Sequence, residues 1–194
     1  YFLRLPPEHV YRHFVDIGRQ SPLPFLVFNT PSRSGVHFPV DLMKRLQDST
    51  ENFVGVKDST TDITELQRLR KALGPDSAIL QGSDSLFAAS LAVGADGGIL
   101  ALGNLCPDHF VSLYDTWLRR DVAEANRIQS DLLQLIKLMY AEAPPAPLKK
   151  AMEMAGRPIG ATRRPLYEPK PDLLAKIKTE LQVLGLLESE RARA

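Results

Sequence analysis

A lysine attacks a carbonyl only as the free amine, and Lys57 stands where a fold can favour that form. It follows the run Asn52-Phe53-Val54-Gly55-Val56 and precedes Asp58-Ser59. An amine at the end of such a run projects over apolar neighbours. Loss of water there disfavours the ammonium and leaves a nucleophile. The competing reading is a lysine that caps a strand and reaches solvent along its stem. Arg33 lies in Phe28-Asn29-Thr30-Pro31-Ser32-Arg33-Ser34-Gly35. A planar, forked guanidinium suits a carboxylate, although the same residue in a turn is equally well a solvated cation. Gly97-Gly98 fits a phosphate cradle or, more commonly, a close approach of two backbones. His9 and His13 are spaced for chelation on a helix, but no third ligand accompanies them, so no metal is expected. No cofactor is expected either.

These residues need a frame, and the hydrophobic pattern supplies one. Short apolar runs at Pro24–Phe28, Phe53–Val56, Ala78–Leu80 and Gly97–Ala101 read as strands. Between them, Val10, Phe14 and Ile17, then Val40, Met43 and Leu46, then Ile63, Leu66, Leu69 and Leu73 recur at helical spacing. Pro6-Pro7 and Pro39 open the first two helices, and Asp62 caps the third, which Gly74-Pro75 stops. A fourth helix is expected over Asp84–Val93. Alternation at this pace implies an α/β fold with parallel strands and right-handed crossovers. After Pro107 the pattern is helical throughout, broken by Ala143-Pro144-Pro145-Ala146-Pro147 and Arg163-Arg164-Pro165. In such folds ligands sit at the C-terminal ends of strands. Those ends hold Phe28-Asn29, Lys57-Asp58-Ser59, Gly82-Ser83-Asp84 and the Gly103-Asn104 region. The pattern alone leaves a small doubly wound domain and half of an eight-stranded barrel equally open.

The motifs separate the two. Phe28-Asn29-Thr30-Pro31-Ser32-Arg33-Ser34-Gly35 followed by Gly55-Val56-Lys57-Asp58 resembles the signature of the dihydrodipicolinate synthase/N-acetylneuraminate lyase family. There a Tyr-Asn-x-Pro-x-Arg-[Thr/Ser]-Gly turn ends the fifth barrel strand. A Gly-[Ile/Val]-Lys-[Glu/Asp] run ends the sixth. Gln81-Gly82-Ser83-Asp84 resembles the turn after the seventh strand. Gly94-Ala95-Asp96-Gly97-Gly98-Ile99 onward resembles the eighth, and Arg164-Pro165-Leu166 the family's helical C-terminal region. The resemblance implies a (β/α)8 barrel represented by strands five to eight over residues 1–120, then a helical region over 121–194.

It also implies a Schiff-base lyase or hydro-lyase acting on pyruvate or a longer 2-oxo acid. Lys57 would be the Schiff-base lysine. Arg33, Asn29, Gly82 and Ile99 would be substrate-binding, with Ile99 offering its backbone. The chain departs from the family at Phe28, where the catalytic tyrosine stands, and at Phe2, where the synthases carry a second tyrosine. Phenylalanine has no hydroxyl, so protons must move through Ser59, Thr60, the substrate's carboxylate, a bound water or residues elsewhere. The motifs lean toward the 2-keto-3-deoxy sugar-acid aldolases over the synthases. The rival is a catalytically impaired relative that binds a 2-oxo acid as sensor or scaffold. A homo-oligomer built as a dimer of dimers is expected by resemblance, with Tyr1-Phe2-Leu3 at a tight-dimer contact.

Composition narrows the alternatives. Lys plus Arg (24) balances Asp plus Glu (23), which leaves no electrostatic footprint for nucleic acid or an anionic membrane. The single cysteine, Cys106, excludes an internal disulfide. No apolar run reaches the roughly 18 residues of a membrane span, and a cytoplasmic setting is expected. A chain that opens on Tyr1 leaves the question of a leader open. A stand-alone nucleotide-binding domain is disfavoured, because no Gly-rich turn links a first strand to its helix.

Overall fold

The computed structural model describes residues 4–187, so the Tyr1-Phe2-Leu3 segment expected at a dimer contact lies outside the described residues. The chain divides into two compact units, Tyr1–Leu100 and Ala101–Ala194. That division falls before residue 120, the boundary drawn from the sequence, because the helix after Pro107 packs on its helical successor within the second unit.

The first unit alternates helix and strand: α1 (Pro7–Gln20), β1 (Phe25–Asn29), α2 (Pro31–Ser34), α3 (Val40–Ser49), β2 (Phe53–Asp58), α4 (Ile63–Leu73), β3 (Ala78–Gln81), α5 (Phe87–Ala92) and β4 (Gly97–Gly98). The strands form one sheet in the order β1-β2-β3-β4, every pair parallel. The helix ends follow local chemistry. Proline occupies the first turn of α1, where its missing N–H costs nothing. The Asp62 carboxylate accepts from the Thr64 N–H at 2.8 Å and caps α4, which Gly74 ends at φ 77°. The turn expected around Arg33 is present and takes the form of the short helix α2. Pro31 starts it and Gly35, at φ 71°, ends it.

One face of the sheet carries the core. Val27, Phe53, Val56 and Ile79 point into a cluster with Val15, Phe38, Leu42, Met43, Leu46, Leu66, Leu69 and Leu73 from the helices. Each such side chain contributes about 1.5–3 kcal/mol when fully buried. The intervening strand residues point the other way. Among them Phe28 is 53% exposed and Val54 is exposed as well; Ile99, just past β4, is exposed too. In a closed (β/α)8 barrel this second face lines the interior. Gly55 sits at φ 151°, and a Cβ there would meet the Ala78 carbonyl at 2.0 Å, so β2 and β3 approach this closely only because position 55 is glycine.

Two strand ends differ from the sequence reading. β2 runs on through Lys57 and Asp58, which places the lysine inside the ladder opposite Phe28 and Leu80. β4 is only Gly97–Gly98, although the Ile99 N–H still donates to the Gln81 carbonyl at 2.9 Å. The residues from Leu102 to Asn104 form a tight helical turn instead of extending it.

The second unit is all helical: α6 (Pro107–Leu118), α7 (Val122–Met139), α8 (Ala146–Met154) and α9 (Pro171–Val183). Its core is Leu113, Leu132, Leu135, Met139, Ala151, Ile177 and Leu181, each at most 1% exposed. No described helix is long and apolar enough to cross a membrane.

Candidate active site

Parallel pairing brings the C-terminal ends of β1, β2 and β3 to one rim, and Lys57 faces that rim. Phe28 is its register partner, and the amine lies 4.0 Å from the centre of the Phe28 ring. Burial pushes the Lys57 amine below the ordinary lysine value, and the negative charge of Asp84 opposes this. The ring face also favours the ammonium, by about 0.5–1 kcal/mol for a partly exposed pair. Desolvation is the largest of the charge effects, so the amine is easier to deprotonate than a surface lysine.

Gly82, expected at the site, has a steric reason to be there. A Cβ built on it would lie 1.8 Å from Ser59 Oγ, 3.0 Å from the Asp58 carbonyl and 3.0 Å from Lys57 Cε. Any side chain at position 82 would displace the Ser59 hydroxyl and crowd the lysine stem. Ile99 borders the same rim, but its N–H is taken up by Gln81, so a backbone contact to a ligand has to come from its carbonyl. Arg33 is exposed on α2, and its guanidinium has no hydrogen bond or ion pair among the described residues.

Asn29, which the resemblance implied as substrate-binding, is held at the end of β1 by both ends of its amide and also borders the cleft beside Phe28. It is 2% exposed, its amide N–H donates to an Asp58 carboxylate oxygen at 2.9 Å, and its own oxygen accepts from the Phe38 N–H at 3.2 Å. Asp58, also buried, further accepts from the Thr60 N–H at 3.2 Å and the Thr60 hydroxyl at 2.6 Å. This network faces the helices, on the opposite side of the sheet from Lys57. It ties the end of β1 to the end of β2 and so fixes where Lys57 and Phe28 emerge. Asp58 lies within the motif of the lysine, but its part in this network is not apparent from the sequence. Its signal was the pairing of two amide- or acid-bearing residues at equivalent strand ends, Asn29 opposite Asp58. Asp84 likewise has no role apparent from the sequence; it is 1% exposed and opens the single helical turn that follows β3. His13 and His9 lie on α1, where the His13 ring packs beside Phe14 with centroids 5.9 Å apart. A 390 Å³ cleft opens beside Phe28, lined by Val10, Phe14, Val36 and Phe38 among others.

A strand-end lysine with a lowered affinity for its proton, a glycine keeping its stem clear and a parallel βα sheet beneath it can be set beside known proteins. The family model described as the dihydrodipicolinate synthetase family matches residues 1–186. The chain belongs to this family. The 4-hydroxy-tetrahydrodipicolinate synthase of Methanopyrus kandleri is 32% identical over 187 residues, which cover 96% of this chain and 62% of that protein. Among solved structures, dihydrodipicolinate synthase from Aquifex aeolicus superposes with a TM-score of 0.91 at 31% identity, covering 96% of this chain and 64% of that one. The chloride-inhibited dihydrodipicolinate synthase from Acinetobacter baumannii, complexed with pyruvate, matches with a TM-score of 0.89 at 26% identity, covering 95% and 63%. The chain thus spans just under two thirds of the length of these relatives. Its four parallel strands with their helices are of the (β/α)8 barrel type found in these neighbours.

Proposed function

We propose that this protein is a class I lyase in which Lys57 forms a Schiff base with pyruvate or a longer 2-oxo acid. The observation that carries the reading is the Lys57 amine itself, projecting from the end of β2 beside Phe28 with its proton affinity lowered by burial. The neutral amine adds to the ketone carbon, and the carbinolamine then loses water to give an iminium. The iminium draws electrons from the adjacent carbon, so a C–H or C–C bond there breaks to leave an enamine. The enamine either adds to an aldehyde or takes up a proton. Arg33, exposed and without an ion pair among the described residues, supplies the charge that holds the substrate carboxylate. The pyruvate complex of the Acinetobacter baumannii relative supports pyruvate as the first 2-oxo acid to test. The synthase names of the relatives weigh toward condensation, whereas the motifs lean toward cleavage of 2-keto-3-deoxy sugar acids.

Trapping tests this directly. The intact protein, incubated with pyruvate and borohydride, should carry an adduct on Lys57 and on no other lysine. Peptide mapping that finds none, or finds it equally in Lys57→Ala, ends the reading. Phe28 favours a second reading, in which a 2-oxo acid is bound without turnover; the synthase names of the relatives weigh against it. Pyruvate release from a panel of 2-keto-3-deoxy sugar acids separates the two. By family resemblance the intact protein assembles as a dimer of dimers, and light scattering at micromolar concentration checks that.

A further inference from the structure

Ser59 stands two residues beyond Lys57, and its side chain returns to the lysine. Its Oγ and Lys57 Cε both lie within 3.0 Å of one point, the place a Cβ on Gly82 would occupy. The hydroxyl therefore neighbours the carbon that bears the amine. The backbone around it is pinned, since the Ser59 N–H donates to the Asn29 carbonyl at 2.9 Å and the Gly82 N–H to the Asp58 carbonyl at 2.7 Å. The neighbouring hydroxyls are committed elsewhere: that of Thr60 donates to Asp58 at 2.6 Å, and those of Ser83 and Ser85 meet at 3.2 Å. The half-buried Ser59 hydroxyl has no hydrogen-bond partner among the described residues. Phe28, on the other flank of the amine, has no oxygen.

We infer that the Ser59 hydroxyl passes the proton from nitrogen to oxygen when Lys57 adds to a 2-oxo acid. This rests on the Schiff-base reading above. As the N–C bond forms, the carbonyl π pair moves onto oxygen, and the nitrogen carries one proton too many. Ser59 gives its proton to that oxygen and takes one from the nitrogen, so the hydroxyl is regenerated and the carbinolamine is neutral. A hydroxyl beside the amine does this without a change in net charge.

The experiment is the rate of borohydride-trapped adduct formation with pyruvate, followed against pH in the intact protein. Positioned proton-transfer groups contribute about 10²- to 10⁴-fold. Ser59→Ala should therefore trap on Lys57 about 10²-fold more slowly, with an unchanged thermal unfolding midpoint. Ser59→Cys should recover much of the rate and acquire a pH profile that follows a thiol, near about 8.5. A purely structural Ser59 would not move that profile. Trapping at the parent rate in Ser59→Ala, or a Ser59→Cys variant as slow as alanine with the parent's pH profile, overturns the inference. An intact parent protein that traps nothing on Lys57 overturns the Schiff-base reading itself, and this inference with it.

Discussion

The two ends of the same sheet are built on opposite principles. Where β3 and β4 begin, Arg70 reaches from α4 and is hydrogen-bonded through every nitrogen of its guanidinium. Its Nε donates to the Gly94 carbonyl at 2.9 Å, and one terminal nitrogen donates to the carbonyls of Gly74 at 2.7 Å and Ser77 at 3.0 Å. The other terminal nitrogen pairs with the Asp96 carboxylate, which also accepts from the Ile79 N–H at 2.8 Å. Where β2 ends, Lys57 has a ring face at 4.0 Å and feels the negative charge of Asp84, and burial weakens its hold on its proton. All three nitrogens of one cation are hydrogen-bonded, whereas the other has no hydrogen bond or ion pair among the described residues. A saturated cation stabilises the fold and is chemically inert. An under-satisfied one is reactive at some cost in stability, which is the pattern of functional sites. In barrels this division recurs, with chemistry at the C-terminal rim and stability at the N-terminal one.

The sharpest way to break that contrast is to exchange the losses. Lys57→Ala should abolish the trapped pyruvate adduct completely while the thermal midpoint stays level or rises; peptide mapping and calorimetry on one preparation check both. A large fall in stability would show that Lys57 belongs to the framework. Gly82→Ala comes next. Its Cβ would collide with Ser59 Oγ and crowd Lys57 Cε and the Asp58 carbonyl, so adduct formation should slow by about 10²-fold, as a misplacement of about 1 Å at a reacting group does. Arg70→Met should do the reverse of both. Removing the donors to the Gly94, Gly74 and Ser77 carbonyls, together with the ion pair to Asp96, should cost about 2–4 kcal/mol in denaturant unfolding, with the trapping rate per folded molecule unchanged.

A pH titration sharpens the comparison further. The folded-state affinity of Lys57 for its proton is lowered, so between the lowered value and the ordinary one of 10.5 the unfolded chain binds more protons. Stability therefore rises with pH through that window. The rate of adduct formation should rise with pH as well, with a midpoint below 10.5. A midpoint at the ordinary lysine value would mean that Lys57 is no different from a solvated side chain. The smallest effect is expected at Phe28. The ring is 53% exposed, so an added hydroxyl meets solvent, and Phe28→Tyr should change stability by no more than about 0.5 kcal/mol. It should be neutral or harmful for pyruvate release from 2-keto-3-deoxy sugar acids. A gain of activity from an inactive parent would favour the reading in which turnover has been lost.

Much of this was legible in the chain. The apolar stripe Ile63, Leu66, Leu69 and Leu73, the Asp62 cap and the Gly74 stop define α4 by local rules alone, and the structure has the helix at those residues. The strand-end position of Lys57 follows from the same kind of local pattern, as does the turn that carries Arg33. Such features depend on residues within a few positions of one another, where side-chain periodicity and capping act. The bond between Asn29 and Asp58 spans 29 residues, and the one between Arg70 and Asp96 spans 26. Neither has a local signature, because each requires the register of parallel strands to bring two distant segments together. The same register decides that Gly82 faces both Ser59 and the stem of Lys57, and that β4 ends after two residues where the chain turns into a tight helix. The sequence by itself determined which residue types stand at the ends of the strands. Only the tertiary structure decided which of them meet, since parallel pairing aligns segments that share no local interaction.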